Sequence, residues 1–108
     1  MSKFIDLLRK IWEFIKKISL KVVNFIKNIA DFFNDPERLR KLQEKKDLIA
    51  VSIKEKLDNG DYHIVNCLYN KVLEDVVEVE TDAIGIEAEN LDEETKQKFG
   101  DKDMIVLE

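Results

Sequence analysis

From Lys3 to Asn34 the apolar positions recur with a helical period. Placed at about 100° per residue, Phe4, Ile5, Leu7, Leu8, Ile11, Trp12, Phe14, Ile15, Ile18, Val22, Val23, Phe25, Ile26, Ile29, Ala30, Phe32 and Phe33 share one arc of roughly 180°. Only Leu20 lies outside that arc, and only Ser19 interrupts it. The polarity of Lys3–Ile11 is repeated by Lys21–Ile29, and that of Trp12–Ile15 by Ala30–Phe33. A repeat of about 18 residues is about five helical turns, so the apolar face runs straight along the axis. The expectation is one long amphipathic helix over residues 3–34. Phe4, Leu8, Ile11, Ile15, Ile18, Val22, Phe25, Ile29 and Phe32 also keep alternating spacings of four and three, which admits a coiled-coil seam.

Asn34-Asp35-Pro36 ends that helix and starts another, with Asp35 as N-cap and proline in the first turn. Leu39, Leu42, Ile49, Ile53 and Leu57 continue a helical stripe to Asn59-Gly60. Residues 48–57 also alternate as a strand would, leading into a hairpin turn at Asp58-Asn59-Gly60. The proline start and Lys54-Glu55-Lys56 favour helix, and the choice sets a sheet of three or four strands. Tyr62–Tyr69 is apolar on both faces and reads as a central strand. Val72–Glu80 alternates as a second strand, a loop passes through Gly85, Leu91–Phe99 forms a short helix stopped by Gly100, and Met104–Leu107 is the last strand. The fold class expected is α+β, in the order helix, helix, strand, strand, helix, strand, with a small, mostly antiparallel sheet. Residues 1–34 form the basic helix and residues 35–108 a small acidic α+β domain.

Charge sharpens this division. Residues 1–34 carry seven bases against Asp6, Glu13 and Asp31, whereas from Val72 onward thirteen acids face only Lys96, Lys98 and Lys102. A strongly acidic half is a poor surface for phosphates, so direct nucleic-acid binding is disfavoured. The single cysteine, Cys67, excludes an internal disulfide and fits a reducing compartment. A charge or Asn breaks every apolar run before the ~18 residues of a membrane span, and no continuous secretory h-region is present. The expected location is cytoplasmic, with peripheral attachment at the inner membrane face as its extension.

Signatures of chemistry are sparse. His63 and Cys67 share a strand face but lie about 13 Å apart at ~3.3 Å per residue, beyond the reach of a nucleophile–base pair. No second His or Cys completes a zinc set. Gly60, Gly85 and Gly100 follow no phosphate-loop spacing, and no calcium-loop pattern occurs. No catalytic residue, metal or cofactor is expected.

A helix of ~46 Å outreaches the ~30 Å diameter of a domain of about 74 residues, so part of its apolar face calls for a partner unless a break near Ser19 folds it back. The face for membrane contact or self-association is Phe4, Leu8, Ile11, Trp12, Ile15, Ile18, Val22, Phe25, Ile26, Ile29, Phe32 and Phe33. Lys3, Arg9, Lys16, Lys21 and Lys27 flank it, as anionic headgroups require. Glu74, Asp75, Glu78, Glu80, Asp82, Glu87 and Glu89 are the acidic surface for a basic partner. The expected function is a non-enzymatic docking or assembly protein. Its helix binds an anionic membrane surface or copies of itself in a bundle, and its acidic module meets a partner. The alternative is a small acidic inhibitor that imitates nucleic-acid charge in a basic groove.

Overall fold

In the computed structural model, which describes residues 2–107, the elements are α1 (Lys3–Trp12), β1 (Lys16–Val23), a π-helical segment (Phe25–Ala30) running into α2 (Asp31–Phe33), α3 (Pro36–Glu44), β2 (Leu48–Lys56), β3 (Tyr62–Asn70), β4 (Asp75–Val77), β5 (Ala83–Leu91), α4 (Glu93–Phe99) and β6 (Met104–Leu107). One six-stranded sheet has the order β1-β5-β3-β2-β6, with β4 also paired to β3. The β1–β5 pair is parallel and the others are antiparallel. The fold is therefore α+β, as the composition of elements predicted, around a mixed sheet.

Both faces of the sheet are covered. On one, Leu8, Ile11 and Ile15 pack against Val51, Ile53, Val65, Cys67 and Tyr69. On the other, Ile29 and Phe99 join Ile64, Leu68, Ile86 and Ala88, with Phe25, Phe32, Phe33 and Leu42 beside them. Fully burying one such aliphatic side chain contributes about 1.5–3 kcal/mol, so the two layers hold the sheet from either side. This explains β2: Leu48, Ala50 and Ile49, Val51, Ile53 feed opposite cores. A strand buried on both faces reads as a continuous apolar run without clean alternation.

The continuous helix expected over residues 3–34 does not form, because the first helix ends at Trp12 and Lys16–Val23 is a strand. A ~46 Å rod would overrun the longest dimension of the whole molecule, 39 Å. The chain instead divides its apolar face: α1 covers one side of the sheet, β1 follows its edge, and residues 25–33 cover the other side. The break that folds the segment back is thus a strand, and it needs neither glycine nor proline. Strand β1, from residues 1–34, pairs with β5 of residues 35–108.

Three further expectations change. The second helix stops at Glu44 and residues 48–56 are strand. The strand expected over 72–80 is reduced to Asp75–Val77. The loop expected through Gly85 is strand β5, in which a β-carbon on Gly85 would lie 2.9 Å from the Trp12 indole. That glycine leaves room for the close approach of α1, a known reason for glycine within a strand. Among the described residues no helix is long and apolar enough to cross a membrane.

Candidate functional site

The N-terminal segment passes from strand to helix at Asn24. Its side chain accepts from the Lys27 N–H at 2.9 Å, while its own N–H donates to Asn28 Oδ1 at 2.7 Å. The π turn that follows is anchored from below: the buried Asn66 donates to the Asn28 carbonyl at 2.8 Å and accepts from Ser52 Oγ at 2.8 Å. Asp92 ties the same region to α4, accepting from Phe25 N–H at 3.0 Å and from Thr95 N–H at 2.9 Å. Burial pushes the Asp92 carboxyl up, but the Thr95 and Phe25 hydrogen bonds outweigh it and hold it below the usual carboxylate value. π-helical turns recur at functional positions, and this one stands beside the free edge of the sheet.

That edge is β1. Along its eight residues it pairs with β5 on one side and, among the described residues, with no strand on the other. Ile18, Val22 and Ile26 are 38%, 52% and 64% exposed there, and Lys16, Lys21 and Lys27 extend from the same stretch. None of these three lysines has a carboxylate partner among the described residues. Lys17 differs, folding back to donate to the Trp12 carbonyl at 2.9 Å. A groove of about 360 Å³ lies over the sheet where β1 meets β5, lined by Lys16 and Ile18 of β1, by Ala83 and Ile84 of β5, and by Lys27, Asn28 and Phe32 of the π turn and α2.

The rest of the expected apolar face is spent inside the fold. Leu8, Ile11, Ile15 and Ile29 are buried, and Phe4, Trp12, Phe25, Phe32 and Phe33 are half-buried. Phe25 and Phe33 also line a groove of about 620 Å³ beside β6, with Lys98 and Lys102 at its rim. Two of the five flanking bases are also engaged: Lys3 bonds Glu74 at 2.6 Å and Arg9 holds Glu55. The Lys3–Glu74 hydrogen bond lowers the glutamate and raises the lysine.

The acidic surface is likewise drawn inward. Lys10 lies 3.2 Å from Asp75, and Lys41 bridges Glu78 at 3.2 Å and Asp82 at 2.5 Å. Arg38 reaches Asp82 at 3.1 Å, donates to the Phe32 carbonyl at 2.6 Å and stacks over that ring. Burial pushes the Asp82 carboxyl up, yet Lys41, Thr81 and Arg38 outweigh it and hold it below the usual carboxylate range. Glu87 lies 3.6 Å from His63. Of the seven acids, Glu74, Asp75, Glu78 and Asp82 have a lysine or arginine partner, and among the described residues Glu80, Glu87 and Glu89 have none. Two of the seven bases of residues 1–34, Lys3 and Lys10, thus pair with the acidic half of the sequence, whose carboxylates Glu78 and Asp82 are met instead by Arg38 and Lys41 of α3.

His63 and Cys67 take the same face of β3 but serve the α1 layer separately. The imidazole stacks on the Trp12 indole, centroids 3.8 Å apart and planes 12° from parallel, while Cys67 is fully buried. Burial pushes the Cys67 thiol up to about 12, so the nucleophilic thiolate is scarce at neutral pH. Among the described residues no group of three or more His, Cys, Asp or Glu is placed to hold a metal ion. The sequence pattern marks the residues of the lysine-bearing edge but places them as a stripe on a helix. No protein-family model, curated protein or solved structure matches the chain.

Proposed function

We propose that the protein is a non-enzymatic docking module that holds an anionic partner against the outer edge of β1 and the adjoining π turn. The observation behind this reading is a division among the bases of the N-terminal segment. Lys3, Arg9 and Lys10 on α1 neutralise carboxylates of the same fold. Lys16, Lys21 and Lys27 instead stand exposed beside Ile18, Val22 and Ile26. Cationic and aliphatic groups side by side suit a partner that brings negative charge and apolar area together, whether lipid headgroups or protein.

The test compares the native chain with a Lys16→Glu, Lys21→Glu, Lys27→Glu variant. Binding is measured to vesicles of anionic or neutral lipid and to acidic polypeptides, at low and high salt. Salt-sensitive binding of an anionic probe by the native chain, lost in the variant, supports the reading. Binding that the reversed charges leave unchanged, or no binding to any anionic probe, overturns it.

A further inference from the structure

We infer that the occupant of this edge is an extended peptide of alternating apolar and acidic residues, which adds to β1 as a seventh strand; this rests on the docking reading above. The first ground is the backbone. An edge strand presents unpaired N–H and C=O groups at alternate positions. Another extended chain can satisfy those groups in register, as in β-strand addition, and a lipid surface cannot.

The second ground is the strand that β1 already accepts. On its inner side Ile18 pairs with Ile86 and Leu20 with Ala88, while Ser19 pairs with Glu87, its hydroxyl 3.4 Å from the carboxylate. Between the Leu20–Ala88 and Val22–Asn90 pairs, Lys21 falls opposite Glu89. The segment Ile86-Glu87-Ala88-Glu89 thus meets an apolar row on one face of β1 and a hydroxyl-and-lysine row on the other. A strand on the outer side meets the same two rows, because side chains alternate between faces. Its apolar residues fall beside Ile18 and Leu20, on the sheet face that also carries Lys16, and its acids fall beside Ser19 and Lys21.

The same rows argue against a second copy of β1. Pairing two such edges would gather Lys16, Lys17 and Lys21 from both chains with no added carboxylate, and like charges across a pair are destabilising. Lysines on an edge are a common guard against self-pairing. Here they also select the partner's charge.

The experiment uses the full chain and two synthetic peptides of equal composition, one alternating Val and Glu, the other with Val and Glu in separate blocks. The alternating peptide is expected to bind at least about tenfold more tightly by fluorescence anisotropy, and to slow amide hydrogen exchange in residues 16–23. Lys21→Glu should weaken it by about tenfold and confer binding of an alternating Val and Lys peptide that the native chain does not hold. Equal affinity for both acidic peptides overturns strand addition while leaving charge-driven docking intact. Binding of anionic vesicles but of neither peptide makes the membrane the occupant and overturns the proposal. So does a multimeric mass with β1 amides protected in the absence of peptide, which would seat a second copy there.

Discussion

Trp12 closes directly over Gly85. A β-carbon on that glycine would lie 2.9 Å from the indole Cζ3, 3.0 Å from Lys17 Cγ and 3.2 Å from Ile15 Cδ1. The end of α1, the start of β1 and strand β5 thus meet at a point with no room for a methyl group. Gly85→Ala should destabilise the fold by about 1–2 kcal/mol through overpacking, read as a lower urea midpoint. An unchanged midpoint would show that Trp12 is not held against the sheet.

Asp82 pins the turn between β4 and β5 to α3 through Arg38 and Lys41. Its carboxyl is held below its ordinary value of 3.8 in the folded state. The stabilisation is therefore complete above that value and is lost as pH falls through the lower folded one. Asp82→Asn should cost about 2 kcal/mol at neutral pH, since it leaves Arg38 and Lys41 without their shared partner. Its acid-unfolding curve should also be shallower than that of the native chain. Identical acid limbs would remove the carboxylate from the account.

Asn66 supports the π turn by one hydrogen bond and is itself held by Ser52. Asn66→Ala removes the donor to the Asn28 carbonyl and leaves a gap in the core, a loss of about 2 kcal/mol. Hydrogen exchange should accelerate first in residues 25–33, before the sheet is affected. Uniform acceleration across the chain would mean that Asn66 serves the sheet alone.

Cys67, buried with its thiol raised to about 12, should react slowly with a thiol reagent at mildly alkaline pH and rapidly in denaturant. Its labelling rate is then a direct reading of how often the α1 layer opens. Fast labelling of the native chain would show that α1 leaves the sheet without unfolding.

The sequence disclosed the α+β class, the strands over 62–69 and 104–107, and the helix capped by Asp92, because each rests on local patterning. It misled over residues 3–34, where two amphipathic stretches in matching phase resemble one helix. The discordant signs were Leu20 and Ser19, the stray residue and the interruption. Both lie inside β1, where Ile18, Ser19 and Leu20 alternate with a period of two. β5 stayed hidden because Gly85 reads locally as a loop, and its reason for being in a strand is a tryptophan 73 positions away in the sequence. The unpaired edge was illegible for a related reason. Pairing is a property of the sheet, and no local pattern states which strand lies outermost.

The parallel pairing of β1 with β5 joins Ser19 to Glu87 across 68 positions of sequence. Closing a loop of that size is slow compared with forming a helix. During synthesis residues 3–33 are complete before the strand that will hold β1 exists. Only the later arrival of β5 supplies the hydrogen-bonding neighbour with which residues 16–23 pair. The final pairing of the lysine-bearing edge therefore waits on a strand made long after it.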